Sequence, residues 1–464
     1  MKNEIENWYK NKENEFLEKL KLLININSTK GKAEKDAPFG KGPKEALLCA
    51  LNIANEWGLT TNNIDNYVGT VDLNNNKDQL HILAHLDIVD VGKGWNTNPF
   101  ELVRDGDIIF GRGVDDDKGP ALAILLALRC VKELNLPLKS NVKVILGTDE
   151  ESGSNDIAYY YKNHPYAPNT LTPDAEFPVI NIERGHYTPI FKKTFKKEKL
   201  TTYIKSIKGG IRTNIAPGNC DVEIVGLNLC DVISVSKEVE NLTGVEFIYK
   251  QNEDIITITA KGKEAHASTP DEGKNAITAT LLLLSKLPLQ DSDSFSTLKK
   301  LQLLFPYGDN EGKALGIAKS DKISGKLTLT LSILNYSNKG FSGQFDVRCP
   351  LSSNKNNLVD VTESAFASFG CECTGDKSEV HIVDENSDFI KTILDSYELY
   401  SNKKGYCMSI GGGTYVHDIP GGVAFGAGDV DFDSHLHGAN ERAKISQLLL
   451  CSKIYADIII KLCS

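Results

Sequence analysis

Leu80-His81-Ile82-Leu83-Ala84-His85-Leu86-Asp87 decides how this chain is read. The first five residues form a mostly apolar run that reads as a buried strand. On an extended continuation, residues two apart point the same way, so His85 and Asp87 emerge from the strand end on one face. Such a pair can bind a metal with one member and steer it with the other.

Four further signals follow in order. Gly111-Arg112-Gly113-Val114-Asp115-Asp116-Asp117-Lys118-Gly119-Pro120 is an acidic, glycine-punctuated loop that runs into the helix-like segment Ala121 to Leu134. Val142 to Leu146 reads as a second buried strand, and it ends in Gly147-Thr148-Asp149-Glu150-Glu151. Ligands in open α/β sheets gather outside such carboxyl ends. Thr172-Pro173-Asp174-Ala175-Glu176 precedes a strand-like stretch from Phe177 to Ile182, and Asp433 to Glu441 carries two histidines near the C-terminus. Taken singly, each is also what a turn or a solvated face supplies. As an ordered set they spell a two-metal hydrolase.

The motifs HLDIVDVGKGW from His85, GRGVDDDKGP from Gly111, GTDEESGS from Gly147, TPDAEFPVI from Thr172, GKEAHAS from Gly262, FDVRCP from Phe345, GGGTY from Gly411 and HGANE from His437 span most of the chain. In this order the sequence resembles the M20 family of metallopeptidases, and within it the PepV-like dipeptidases. The resemblance implies that His85, Asp116, Glu151, Asp174 and His437 bind two zinc ions, with manganese or cobalt as substitutes. Asp116 would bridge the pair, His85 and Asp174 completing one site and Glu151 and His437 the other. By spacing alone Asp115, Asp116 and Asp117 are all within reach, as are His435 and His437; the family's pattern selects Asp116 and His437. It further implies that Asp87 bonds the far nitrogen of His85 and that Glu150 is the general base. His266 would stabilise the oxyanion, while Asn214 and Arg348, with Gly413 and Thr414 in a glycine-rich backbone cradle, would hold the substrate carboxylate.

The chemistry of these residue types agrees. Zinc accepts imidazole nitrogen and carboxylate oxygen and leaves a position open when catalytic. Two ions about 3.5–4 Å apart can share a water, lower its pKa and polarise a carbonyl. A neighbouring carboxylate can take the water's proton and pass it to the leaving amine. Arginine's planar fork suits a carboxylate; the competing reading of Arg348 is a surface arginine on an edge strand. His81, His164, His186, His381 and His417 lie outside the motifs and read as structural. The sequence departs from the family pattern at Asp90, at His417-Asp418 after GGGTYV, and in Phe425-Gly426-Ala427-Gly428-Asp429, changes that bear on substrate preference.

Composition fits a large enzyme: 464 residues, 41% of them hydrophobic, suffice for two cores. The ten cysteines form no C-x-x-C pair, so neither a zinc ribbon nor a disulfide framework is indicated. No signal-peptide core and no long apolar run is present, which makes the expected setting a reducing cytoplasm with no membrane partner. A net charge of −10 argues against nucleic acid. The basic run Phe191 to Lys199 reads as a solvated edge.

Metal motifs occupy the first 185 residues and return near the C-terminus, with His266, Asn214 and Arg348 between them. The expected architecture is therefore an α/β catalytic domain with a mostly parallel central sheet, residues 1–185 and 384–464, interrupted by an inserted α+β lid, residues 186–383. The expected activity is hydrolysis of free dipeptides by a metal-activated water with a glutamate base. The alternative within the same fold is a deacylase or carboxypeptidase acting on N-acyl amino acids or short peptides. A non-catalytic scaffold is disfavoured by Glu150 beside five ligand residues, and a nucleotide-binding protein by the absence of phosphate-loop motifs. In family members with a shorter lid the oxyanion histidine comes from a partner subunit; the longer insertion here points to a monomer in which His266 serves its own chain.

Overall fold

A computed structural model describes residues 1–464, which divide into two units. The first comprises Met1–Ile182, His381–Met408 and Gly413–Ser464; the second comprises Glu183–Val380 and Ser409–Gly412.

The first unit is built on a mixed sheet. The apolar run forms the strand Asp78–His85, which lies parallel to Asn141–Gly147 on one side and Asn169–Thr172 on the other. Gly422–Ala424 continues the parallel set beyond Asn169–Thr172. Flanking strands are antiparallel: Val68–Asp72 and Thr60–Ile64 outside Asn141–Gly147, and Val179–Glu183 beside Gly422–Ala424. Parallel strands are covered on both faces, which is why these read as continuous apolar stretches rather than alternating ones. Helix Lys118–Glu133 is buried at every position from Lys118 to Leu128, as expected of a helix apolar all round. It shares one core with Ile82, Val144, Leu146 and the C-terminal helix residues Ile454 and Ile458.

The register decides where the site lies. His85 pairs with Gly147, and Ile82 with Leu171, so the segments after His85, Gly147 and Thr172 all leave one edge of the sheet. The stretch expected as one strand from Phe177 to Ile182 is instead two, Ala175–Phe177 and Val179–Glu183. Pro178 between them has no N–H to donate to a ladder.

The second unit is an antiparallel sheet with helices. Its strands run in the order Glu246–Asn252, Ile255–Lys261, Asn219–Val225, Tyr203–Gly209, Thr328–Ser337, Gly340–Cys349, Ile190–Thr194 and Glu372–Thr374, and Gly185–Tyr187 also pairs with Gly340–Cys349. Helix Ala276–Lys286 begins at Asn275, whose side chain accepts the N–H groups of Ile277 at 2.9 Å and Thr278 at 3.2 Å, an N-cap that fixes the start. The basic run divides: Ile190–Thr194 is a strand hydrogen-bonded to neighbours on both sides, whereas Lys196 to Lys199 follow it outside any element and are exposed. Within the strand the side chains alternate, for Phe191 is fully buried among Phe345 and Phe366 while Lys192 on the other face is exposed. No helix is long and apolar enough to cross a membrane.

Candidate active site

At the carboxyl edge of the first unit's sheet, five side chains from four loops and one strand end converge. His85, fully buried, points Nε2 at Asp116 Oδ1 (2.8 Å) and Asp174 Oδ2 (3.6 Å). His437 Nε2 lies 2.8 Å from Asp116 Oδ2 and 3.3 Å from Glu151 Oε1. Asp116 therefore offers one oxygen to each imidazole. The result is two triads, His85/Asp116/Asp174 and Asp116/Glu151/His437, in each of which the donor atoms lie within 4.8 Å of one another. His85 Nε2, though buried, has no aligned hydrogen bond. The donor set of nitrogen and oxygen in each triad suits zinc and its first-row neighbours.

Asp87 faces His85 Nδ1 and also reaches the neighbouring acidic turn. His85 Nδ1 faces the backbone oxygen of Asp87 at 3.1 Å, and the carboxylate Oδ1 stands at 3.5 Å. The carboxylate also accepts the N–H groups of Glu150 and Glu151, each at 3.1 Å. These two residues open a 3₁₀ turn, Glu150–Ser152, whose first N–H groups have no partner within the turn and need an acceptor. Asp117 Oδ2 accepts the His85 N–H at 2.9 Å, tying the acidic loop to the strand end. His435 is turned into its own loop, with Nε2 3.2 Å from Asp433 Oδ2 and Nδ1 3.1 Å from the Ala439 oxygen.

Crowding of carboxylates in a buried pocket sets the electrostatics. Burial, then the nearby Asp174 charge, raises Glu150 well above the usual carboxylate range, and burial with Asp116 pushes Asp174 up to about 7. Burial opposes a charge on His437, but Asp116 and Glu151 override it and hold the imidazole up at about 11. Burial likewise opposes ionisation of Asp116, yet the close His437 and His85 imidazoles carry it below its ordinary value. Such a site draws positive charge, and a carboxyl with raised proton affinity can hold a proton near neutrality.

In the second unit, Asn214 and His266 are neighbours: Ile215 pairs with His266 in a short ribbon, and the Asn214 oxygen accepts the Ala267 N–H at 2.8 Å. His266 Nδ1 is 2.6 Å from Ser268 Oγ. Arg348 is not a surface residue; it is buried and bonded bidentately to Asp346, at 2.7 Å through Nε and 3.0 Å through Nη2. Its Nη1 also donates to the Gly411 oxygen at 2.7 Å and lies 2.8 Å from His186 Nε2. Gly411 cannot carry a side chain, since a Cβ would overlap the Arg184 guanidinium and Ser268. Sequence reasoning missed Asp346 and set His186 aside. The available signals were the i, i+2 spacing of Asp346 and Arg348 on one strand face and the charge that a buried arginine must find. In the first unit, the Thr414 hydroxyl accepts the Val416 N–H at 3.3 Å and caps the turn Tyr415–Asp418, with Gly413 directly before it in the chain.

The family model described as peptidase family M20/M25/M40 matches residues 81–461. A Beta-Ala-Xaa dipeptidase of Lactobacillus delbrueckii subsp. lactis is 32% identical over 461 residues, covering 97% of this chain and 96% of that protein. Among solved structures, the dipeptidase Dug1p of Saccharomyces cerevisiae superposes with a TM-score of 0.60 at 14% identity, covering 100% of this chain and 98% of the other. Human carnosine dipeptidase 1 gives a TM-score of 0.58 at 14% identity with both chains covered in full. These two share the fold. The breadth of the family match and the full-length relative together place this chain in peptidase family M20/M25/M40, as a hydrolase of peptide bonds.

Proposed function

We propose that this peptidase is a zinc-dependent dipeptidase that hydrolyses free dipeptides, its two zinc ions held by His85, Asp116, Asp174, Glu151 and His437. The observation that carries the reading is the pair of triads sharing one carboxylate, Asp116. Two divalent ions bound there would polarise the scissile carbonyl and acidify the attacking water. Glu150 takes that water's proton on a carboxylate oxygen and returns it to the leaving amine. His266 donates to the developing oxyanion from Nε2, the nitrogen away from Ser268. Asn214, Arg348, Gly413 and Thr414 receive the substrate carboxylate, with Asp346 fixing the plane of the Arg348 guanidinium. Similarity along the whole chain to a relative named as a dipeptidase supports this choice of substrate.

The test joins metal analysis to a substrate screen. Purified protein is expected to carry two zinc ions per chain, to cleave free dipeptides, and to lose activity to a chelator and regain it with zinc. Faster hydrolysis of N-acetyl amino acids than of any dipeptide, or full activity after metal removal, would overturn the proposal.

A further inference from the structure

The carboxylate of Glu441 is fully buried and gathers the N–H groups of a single loop. Gly113 donates to its two oxygens at 3.0 and 3.1 Å, Asp115 at 3.0 Å and Asp116 at 3.3 Å. Arg112, also buried, donates to the same carboxylate through Nη1 at 2.6 Å. Its Nη2 turns the other way and donates to the backbone oxygens of His437 at 3.2 Å and Gly438 at 2.9 Å. One ion pair, closed off from water, thus grips the backbone on both sides of the Asp116–His437 contact. The His437 turn needs a grip, because His437 and Asn440 sit at φ +59° and +60°, a region that costs backbone energy outside glycine. Neither Glu441 nor Arg112 contributes a donor to either triad.

We propose that Glu441 and Arg112 are positioning residues that hold Asp116 and His437 at the spacing two metal ions require, an inference that rests on the two-metal reading above. Glu441 sets the loop on which the shared carboxylate rides, so its loss disturbs both sites. Arg112 connects that loop to the His437 turn, so its forked contacts matter chiefly to the site that includes His437. Partners of this kind, one bond removed from the ligands, change metal affinity by roughly 10- to 100-fold when mutated.

The experiment titrates zinc into metal-stripped protein against a competing chelator, with circular dichroism and thermal unfolding of the stripped protein measured alongside. Wild type is expected to take up two ions. Glu441→Gln, which keeps the shape but puts an amide among N–H donors, should weaken both ions by about 10- to 100-fold in protein that remains folded. Arg112→Lys keeps the charge but cannot reach Glu441 and both carbonyls together, because a single ammonium replaces the fork; it should weaken one ion and leave the other within about threefold of wild type. If Glu441→Gln does not fold, Arg112→Lys decides alone. Wild-type zinc affinity in a folded variant, with only the unfolding temperature lowered, would mean that the pair is structural and would overturn the inference while leaving the two-metal reading intact. A wild type that binds no zinc would overturn both.

Discussion

The Asp87 carboxylate accepts the backbone N–H of Glu150 at 3.1 Å, and its other oxygen accepts that of Glu151. A single buried acid thereby sets the orientation of the proposed base and of an adjacent proposed ligand, while the backbone oxygen of the same residue faces His85 Nδ1. Asp87→Asn replaces one acceptor oxygen by an NH2 group that confronts an N–H. A buried donor left without a partner costs about 1–3 kcal/mol, enough to shift the Glu150–Glu151 turn. The expected result is a folded protein whose kcat falls about 10- to 100-fold and whose zinc affinity falls with it. Steady-state kinetics with zinc titration checks this, and unchanged kcat at saturating zinc would rule it out.

Glu150→Gln separates proton transfer from ligation. Glu150 belongs to neither triad, so the variant should retain two metals per chain while kcat drops by roughly 10² or more. Metal content by elemental analysis and single-substrate kinetics give the answer; loss of an ion, or near wild-type turnover, would reassign the residue.

Asp116 is common to both triads and His437 to one. Asp116→Asn should therefore strip both ions together, whereas His437→Ala should weaken one and spare the other. Calorimetric zinc titration of the two variants reads this directly, and equal, independent losses in both would remove the bridging role.

Fold class was legible because buried parallel strands leave continuous apolar runs, Leu80 to Ala84 and Val142 to Leu146. The candidate donors were legible only as groups, since by spacing alone Asp115, Asp116 and Asp117, and likewise His435 and His437, are all within reach, and the family resemblance made the choice. What holds them was not legible. Arg112 and Glu441 are 329 residues apart, and no local pattern says which buried acid meets which buried base. The turn of Asp87 toward Glu150 depends on the unpaired N–H groups of a short 3₁₀ turn, and a sequence of acids does not announce that turn. The competing reading of Arg348 as a surface arginine fails because its guanidinium meets Gly411 and His186, both distant in the chain.

Asp156 supplies a pH signature away from the metal ligands. Its buried carboxyl accepts the N–H groups of Asp149 at 2.9 Å and Ile157 at 2.7 Å and the Tyr415 hydroxyl. Burial raises it to about 6, with the Tyr415 bond pulling the other way. An unfolded aspartate titrates near about 3.9. Between those values the folded chain holds a proton that the unfolded chain has released, so this group's contribution to stability declines as pH rises through the window. Relative to Asp156→Asn, chelator-treated wild type should lose stability from about pH 4 to pH 6 with a slope of at most about 1.4 kcal/mol per pH unit. Urea unfolding of both proteins across that range measures the slope. A difference that is flat, or that grows with pH, contradicts the assignment.

The last prediction concerns which chain's histidine serves which site. The second unit comprises Glu183–Val380 and Ser409–Gly412, and the family resemblance implies that a shorter insertion would leave the oxyanion histidine to a partner subunit. If the extra length replaces the partner, His266 acts in its own chain and the enzyme works as a monomer whose closure over substrate shuts out water. His266→Ala protein keeps intact metal ligands, and Asp116→Asn protein keeps an intact His266. In a monomeric enzyme, mixing the two restores nothing, because no molecule holds both working parts; in an enzyme that shares histidines across subunits, mixed dimers would regain activity in one of their two sites. Loss of the oxyanion donor alone should lower kcat by about 10²- to 10³-fold, which leaves ample room to see recovery. Activity rising on mixing, or wild-type specific activity collapsing on dilution, would assign His266 to a neighbouring chain.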